Sequence, residues 1–92
     1  MIDVNFRSTM VNMSDRIQGQ NQEGVPYDIY LLQVRVQNDL IDFTINNDED
    51  AQAYIPFLKS LKFGEVFTLT VRMNKNRKTK RWYVNVKGAG KA

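Results

Sequence analysis

The residues with the clearest chemical potential lie in the stretch Thr68 to Lys87, TLTVRMNKNRKTKRWYVNVK. Two segments with β-type alternation flank NKNRKTK at residues 74–80, which holds four cations and no anion. The predicted hairpin has one apolar face, and its other face carries Arg72, Arg81, Tyr83 and Lys87. Cations beside a stacking ring suit a polyanion with unpaired bases. The alternative is a solvated edge hairpin whose lysines only prevent aggregation.

The chain contains no cysteine and no histidine. Disulfides, Cys/His zinc sites and the usual Cys–His or Ser–His–Asp catalytic groups are therefore excluded. Carboxylate or lysine chemistry stays open, as in a carboxylate-dependent nuclease. The acids cluster at Asp48–Asp50, where helix capping is favoured over cation binding because the spaced ligands of a calcium loop are missing. We expect no enzyme activity, cofactor or metal.

The two parts of the chain differ strongly in charge. Residues 1–65 hold five Lys or Arg and all ten acids, whereas residues 66–92 hold eight Lys or Arg and no acid. Such polarity predicts one surface for a polyanion. Nucleic acid is favoured over an anionic membrane, because the basic segment has the pattern of strands and not of an amphipathic helix.

The length of 92 residues predicts a single domain, with a flexible tail at residues 88–92. No run of 18 apolar residues is present, so no membrane span is expected. The first ten residues alternate and include charged side chains, unlike a signal peptide. We expect a cytoplasmic protein.

Alternating apolar residues predict five strands, at residues 2–11, 27–38, 40–46, 63–73 and 81–87. The alternation blurs at Met10–Met13, where a bulge or bend is expected. In the second strand Tyr30 and Leu32 lie on the core face. The opposite face, with Tyr27, Ile29 and Leu31, is a stacking platform, a dimer contact or simple packing under a loop.

Two further segments separate these strands. Residues 14–26, SDRIQGQNQEGVP, form a polar loop or extended wing whose amides could bond bases or phosphates. Residues 47–62 form the only helical segment, with an apolar stripe and acids at its start. Pro56 either kinks this helix or begins a second one.

The order strand, strand, strand, helix, strand, strand predicts a mostly all-β protein, a five-stranded OB-fold barrel with one helix between strands three and four. In that fold oligonucleotides lie across strands two and three, between the first-to-second and fourth-to-fifth strand loops. Here those loops are the amide-rich segment 14–26 and the cationic segment 74–80. Both are chemically suited to nucleic acid.

The segment EGVPYDIYLLQV at residues 23–34 resembles the end of the DNA-binding wing in gene V-type single-stranded DNA-binding proteins of filamentous phages. The start, MIDVNF, resembles their first strand. The resemblance implies a homodimer that coats single-stranded DNA during phage or mobile-element replication, in a bacterial or phage-infected cell. It implies DNA contact for Tyr27 and a place in the wing for Arg16. The helix and the basic hairpin depart from that family.

Our sequence-based prediction is sequence-tolerant binding of single-stranded DNA. The cations would follow the phosphates and the tyrosines would stack on bases, with Tyr30 or Trp82 as further candidates. Trp82 shares its face with Val84 and Val86, so burial is favoured for it, and Phe6, Phe43 and Phe67 are assigned to the core. The predicted nucleic-acid-binding residues are Arg16, Tyr27, Arg35, Arg72, Lys75, Arg77, Lys78, Lys80, Arg81 and Tyr83.

Two other functions remain open. A cold-shock-like module would bind RNA, and nothing in the sequence separates DNA from RNA. A protein-interaction subunit of a replication or conjugation complex would use the basic hairpin against an acidic partner.

Overall fold

The computed structural model of the chain describes residues 1–92 and is mostly β, with 60% of the residues in strands. Two short helical segments follow the fourth strand: a 3-10 turn at Ala51–Ala53 and one α-helix, α1, at Ile55–Ser60. No helix is both long and apolar enough to traverse a bilayer. The strands are β1 (Ile2–Met13), β2 (Ile17–Gln20), β3 (Pro26–Val36), β4 (Asp39–Asn46), β5 (Val66–Lys75) and β6 (Trp82–Lys91).

All six strands join one antiparallel sheet. Strand β1 pairs with β5 through its first part, Ile2 to Thr9, and with β3 through its last part, Thr9 to Met13. Strands β1 and β2 share one edge of β3, whereas β4 occupies the other edge. Strand β6 pairs with β5. The outer strands β4 and β6 approach each other but form no ladder, so hydrogen bonds do not close the sheet into a barrel.

The alternation predicted from the sequence identifies the core face of β3 correctly. Tyr30, Leu32 and Val34 of β3 are buried, whereas Leu31 and Arg35 on the opposite face of the strand are exposed. Phe67 is fully buried, while Phe6 and Phe43 are partly buried against the core. The core side chains are Met10, Tyr30, Leu32, Val34, Ile45, Ala51, Tyr54, Ile55, Leu58, Phe67, Leu69, Val71 and Val86.

Several boundaries differ from the sequence-based predictions. The segment 14–26 contains an additional strand, β2, which makes six strands where five were predicted. The expected irregularity in β1 is confirmed, because the β1–β3 register shifts between Met10 and Asn12. The segment 88–91, predicted to be a flexible tail, extends β6 and pairs with β5 as far as Phe67 opposite Lys91. Backbone pairing orders this segment although its side chains are small.

The predicted helical segment is divided at Tyr54, between the 3-10 turn and α1, which agrees with the second of the two alternatives. Asp48 Oδ1 accepts the Ala51 N–H at 2.9 Å and starts the 3-10 turn. Helix α1 begins at Ile55, with Pro56 in its first turn, where the missing N–H costs nothing. Tyr54 joins this segment to the sheet by donating its hydroxyl to the Val86 carbonyl at 3.1 Å. Burial, followed by the charges of Asp48 and Asp50, raises the pKa of Tyr54 to about 12.

Candidate nucleic-acid interface

The cationic loop between β5 and β6 is a tight, hydrogen-bonded turn. Asn76 Oδ1 accepts the N–H groups of Lys78 at 2.8 Å and Thr79 at 3.2 Å, as in an Asx-turn. The Asn76 carbonyl accepts the Lys80 N–H at 2.8 Å, and its own N–H donates to the Arg81 carbonyl at 2.8 Å. Lys80 adopts a positive φ of 56°, which closes the turn. Asn76 therefore fixes the backbone that carries the cations.

The five cations of this turn are exposed and form no salt bridge. They are Lys75, Arg77, Lys78, Lys80 and Arg81, and we call residues 75–81 the basic tip. Lys75, Arg77 and Lys80 line one concavity of about 460 Å³, together with Asn74 and Met1. The structure thus brings five of the ten predicted residues together on one projecting turn.

Two half-exposed aromatic rings stand at the base of the basic tip. Trp82 is 47% exposed and pairs with Lys75, and Tyr83 is 49% exposed and pairs with Asn74. The favoured burial of Trp82 was wrong: its face is the apolar one, but the hairpin extends beyond the core at this point. Val84, which is 45% exposed, shows the same effect. Both rings are therefore accessible to a ligand held by the basic tip.

Arg72, also predicted to bind nucleic acid, is held by a carboxylate of the same sheet. Its Nε lies 2.8 Å from Asp3 Oδ1 and its Nη2 lies 3.2 Å from Asp3 Oδ2, on adjacent strands. This pairing lowers the pKa of the Asp3 carboxyl and raises that of the Arg72 guanidinium. Arg72 is thereby satisfied within the chain and lies outside the basic tip.

The wing is a hairpin formed by β2 and the start of β3, and its tip has the same construction as the basic tip. Asn21 Oδ1 accepts the N–H groups of Glu23 at 2.9 Å and Val25 at 3.0 Å. The Asn21 carbonyl accepts the Gly24 N–H at 2.9 Å, and Gly24 has the positive φ of 79° that the turn requires. The wing is thus an ordered projection.

Tyr27 lies on the wing opposite Gly19 and is 41% exposed. A Cβ atom added at Gly19 would stand 2.6 Å from the Tyr27 hydroxyl oxygen and 2.8 Å from its Cζ. The phenol ring therefore lies directly across the Gly19 backbone, and only glycine leaves it that space. This contact holds the ring in place at the wing surface.

Arg16 sits at the base of the wing in a bidentate pair with Asp28. Its Nε lies 2.9 Å from Asp28 Oδ1 and its Nη2 lies 2.5 Å from Oδ2. Asn47 Nδ2 also donates to Asp28 Oδ2, at 3.2 Å. The hydrogen bond from Arg16 is the main cause that lowers the pKa of Asp28. Arg16, like Arg72, is already occupied within the chain.

The remaining predicted groups are spread along β3. Arg35 is exposed at the far end of β3 from Tyr27, opposite Leu40 of β4 and Thr9 of β1. Tyr30 is only 5% exposed, and the Lys59 ammonium lies 4.7 Å from its ring centroid. Burial removes Tyr30 as a stacking candidate. The wing and the basic tip lie at opposite ends of β1. Met13, at the end of β1, is followed by β2 of the wing, whereas Ile2, at its start, is paired with Met73, close to the basic tip.

An open, mostly apolar groove of about 580 Å³ lies between β4 and β6, which are not hydrogen-bonded to each other. Phe6, Phe43 and Met73 line it, with Asn46 and Asn85 among its polar groups. Val84, one residue beyond Tyr83, also lines this groove, so it begins next to the basic tip. No three carboxylates of the chain converge in an arrangement that could hold a metal ion.

Sequence reasoning located the cations but missed the residues that position them. Gly24 three positions after Asn21 is a readable turn signal, whereas the positive φ of Lys80, four positions after Asn76, cannot be read from a lysine. The contact between Gly19 and Tyr27 has no such signal, because it depends on the cross-strand register. Comparison with known protein families, with characterised proteins and with solved structures finds no match for this chain.

Proposed function

We propose that this protein binds single-stranded nucleic acid, DNA in the first instance, with little sequence preference. The observation that carries the proposal is the basic tip: five exposed, unpaired cations on a turn fixed by Asn76, with Trp82 and Tyr83 half-exposed at its base. Phosphate neutralisation supplies affinity without sequence information, and stacking on aromatic rings selects unpaired bases.

The strand arrangement supports an OB-type architecture as part of this proposal. With the wing strand β2 set aside, the sheet order is β4–β3–β1–β5–β6, with the helical segment between β4 and β5. An OB barrel has this order and is partly open, as here between its third and fifth strands. The fold binds oligonucleotides between its first and fourth loops, which correspond to the wing and the basic tip.

Not all of the ten predicted residues are free to contact nucleic acid. The basic tip anchors phosphates, and Tyr83 and Trp82, on opposite faces of β6, each offer a stacking surface for a neighbouring base. Tyr27 on the wing provides a second stacking surface, and Arg35 on β3 a further phosphate contact. Arg16 and Arg72 act as supports within the protein, because each guanidinium is already bound to a carboxylate.

The resemblance of residues 23–34 to the gene V-type wing supports a biological role within the same proposal. The protein would coat single-stranded DNA during replication of a phage or mobile element, as a homodimer in the cytoplasm of the host. Ordered wing geometry around Asn21 and Tyr27 fits this role.

Fluorescence titration tests the proposal, because Trp82 and Tyr83 lie where the ligand would bind. We expect tight quenching by oligo(dT) at low salt, weak binding of duplex DNA of equal length, and loss of quenching at high salt. A matched oligo(U) titration measures the preference for DNA over RNA.

Binding to neither polymer at low salt would contradict the proposal and would favour an acidic protein partner for the basic tip. Equal binding to single strands and duplex would show that charge acts without stacking, and the assigned roles of Tyr83 and Trp82 would be wrong.

A further inference from the structure

Phe63 is a large apolar side chain held in water by a rigid turn. Its side chain is 78% exposed. On a flexible loop, an aromatic ring would fold back onto the apolar surface of the protein. The turn from Lys62 to Glu65 is closed by the Glu65 N–H, which donates to the Lys62 carbonyl at 3.0 Å. Glu65 Oε1 accepts the Lys62 N–H at 2.8 Å, and Gly64 supplies a positive φ of 88°.

Two backbone hydrogen bonds attach this turn to β1. Gly64 N–H donates to the Met10 carbonyl at 2.8 Å, and Met10 N–H donates to the Glu65 carbonyl at 2.8 Å. The backbone that carries Phe63 is therefore ordered, and the ring projects from a fixed turn and not from a mobile segment. A preorganised exposed aromatic loses little entropy on binding, which is the property of an interface anchor.

A cavity of about 440 Å³ lies directly beside Phe63, and the Phe63 ring forms part of its wall. Its other apolar side chains are Met10, Val11, Met13 and Leu61, and polar groups come from Asn12, Ser14, Asp15 and Lys59. Strand β5 pairs with β1 only as far as Thr9, so β1 lacks a neighbouring strand on this side at residues 11–13. An enclosed apolar cavity of about 150 Å³ holds one benzene ring; this concavity is larger and open to solvent, so a phenylalanine ring from outside can enter it.

A projecting ring and a receiving cavity on the same surface define a self-complementary patch. A two-fold axis between two copies of such a patch places each ring in the cavity of the other copy. The charges fit this arrangement, because Lys59 and Lys62 are balanced by Asp15 and Glu65 around the patch. The basic tip, with five cations and no acid, would repel its own copy instead.

We propose that a second copy of this chain docks on this patch, with each Phe63 entering the partner's cavity. The balanced charge disfavours a polyanion as the occupant and lets opposite charges meet across the axis. The proposal does not depend on nucleic-acid binding, since the patch contains no residue of the basic tip and no residue of the wing strands β2 and β3. It gives the homodimer a specific surface.

Sedimentation equilibrium without nucleic acid tests the proposal over low to high micromolar protein concentration. We expect the wild-type mass to rise from 10.7 kDa towards twice that value, and Phe63→Ala to remain monomeric. Leu40→Ala is the matched control. Leu40 is also an exposed apolar residue, at 56%, but it lies at the start of β4, next to the turn from β3, and is not part of the patch. Thermal melting shows that both variants fold.

Crosslinking locates the contact, because the chain has no cysteine of its own. Lys62→Cys places a single thiol beside Phe63, and we expect a short bis-maleimide to join two copies through it. Val25→Cys at the wing tip should not crosslink, and Lys62→Cys combined with Phe63→Ala should lose the crosslink.

A wild-type protein that stays at 10.7 kDa throughout, or a Phe63→Ala variant that dimerises like wild type, would overturn the proposal. If Phe63→Ala keeps the wild-type mass but loses affinity for oligo(dT), Phe63 is a base-stacking residue and the dimer assignment is wrong. Normal dimerisation in a protein that binds no oligonucleotide would leave this proposal standing and remove the nucleic-acid function.

Discussion

The side-chain oxygen of Asn76 accepts a 2.8 Å hydrogen bond from the backbone N–H of Lys78. The Thr79 N–H donates to the same oxygen, and together the two bonds fix the turn that carries five cations. Without it, mutual repulsion among the cations would favour an extended, mobile loop. The neutral Asn76 is therefore a positioning residue for the charged ones.

We predict that Asn76→Ala weakens oligo(dT) binding by about threefold to tenfold, although it removes no charge. The physical reason is the cost of ordering the loop on binding, about 0.5–1.5 kcal/mol for each immobilised side chain. Fluorescence titration at low salt measures the loss. Asn38→Ala, at the turn between β3 and β4, is the control and should bind like wild type. Unchanged affinity for Asn76→Ala would show that the turn needs no fixed shape.

Gly19→Ala tests the position of Tyr27 without altering the tyrosine itself. The new Cβ would stand 2.6 Å from the Tyr27 hydroxyl oxygen, so the ring must move. Tyr27→Ala should reduce affinity for oligo(dT) by about 1–3 kcal/mol, and Gly19→Ala should reproduce part of that loss. Gly90→Ala is the control, because its Cβ would meet nothing within 4 Å. If Gly19→Ala binds oligo(dT) like wild type while Tyr27→Ala binds it weakly, the Tyr27 ring acts equally well in another position.

Ser8 is 1% exposed, and its hydroxyl has no hydrogen-bond partner. A buried hydroxyl without a partner loses its hydration and gains nothing in return. Ser8→Ala should therefore leave the free energy of unfolding unchanged or raise it by about 1 kcal/mol, as measured by urea denaturation. Ser60→Ala is a contrast, because the Ser60 hydroxyl bonds the Phe57 carbonyl at 2.6 Å and its loss should lower stability slightly. Clear destabilisation by Ser8→Ala would show that its hydroxyl is satisfied.

The carboxyls of Asp3 and Asp28 give the fold an acid-sensitive component. Arg72 and Arg16, respectively, lower their pKa values below the usual 3.8. A depressed folded-state pKa means that the stabilisation is present above pH 3.8 and is lost as the pH falls through the depressed pKa values. Thermal melting between neutral and acid pH measures this loss, and it should be smaller in Asp28→Asn. Both pairs are exposed to solvent, so high salt should also reduce the effect. The same pH profile for Asp28→Asn and wild type would contradict this assignment.

The β pattern was largely predictable because alternation reports burial directly. Period two alone placed Tyr30 and Leu32 on the core face of the second predicted strand, and the structure buries both. The pattern could not reveal β2, since IQGQ has little apolar content and is ordered by pairing with β3. It also missed residues 88–91, because Gly88, Ala89 and Gly90 carry no alternation signal and the order of this segment comes from the β5 ladder.

The candidate site was only partly predictable, because pairing between residues distant in sequence decides which cations are free. Arg72 is 69 positions from Asp3, and the register of β1 against β5 brings them together. Arg16 meets Asp28 through the wing register. Trp82 lies on the same face of its strand as the core residue Val86, but it is at the end of the hairpin, beyond the core. Composition predicted a positively charged hairpin, but only the strand pairing shows which of the cations are free.

The most direct test is the salt dependence of oligo(dT) affinity for wild type, Lys78→Ala and Lys91→Ala. Lys91 is an exposed lysine of the same hairpin but lies opposite Phe67, at the far end from the basic tip. For single strands, log K against log salt has a slope of about −0.7 per phosphate neutralised. We predict that Lys78→Ala lowers affinity and reduces the slope by about 0.7, whereas Lys91→Ala matches wild type. Equal slopes for all three proteins, or no salt dependence in the wild type, would contradict binding through the basic tip.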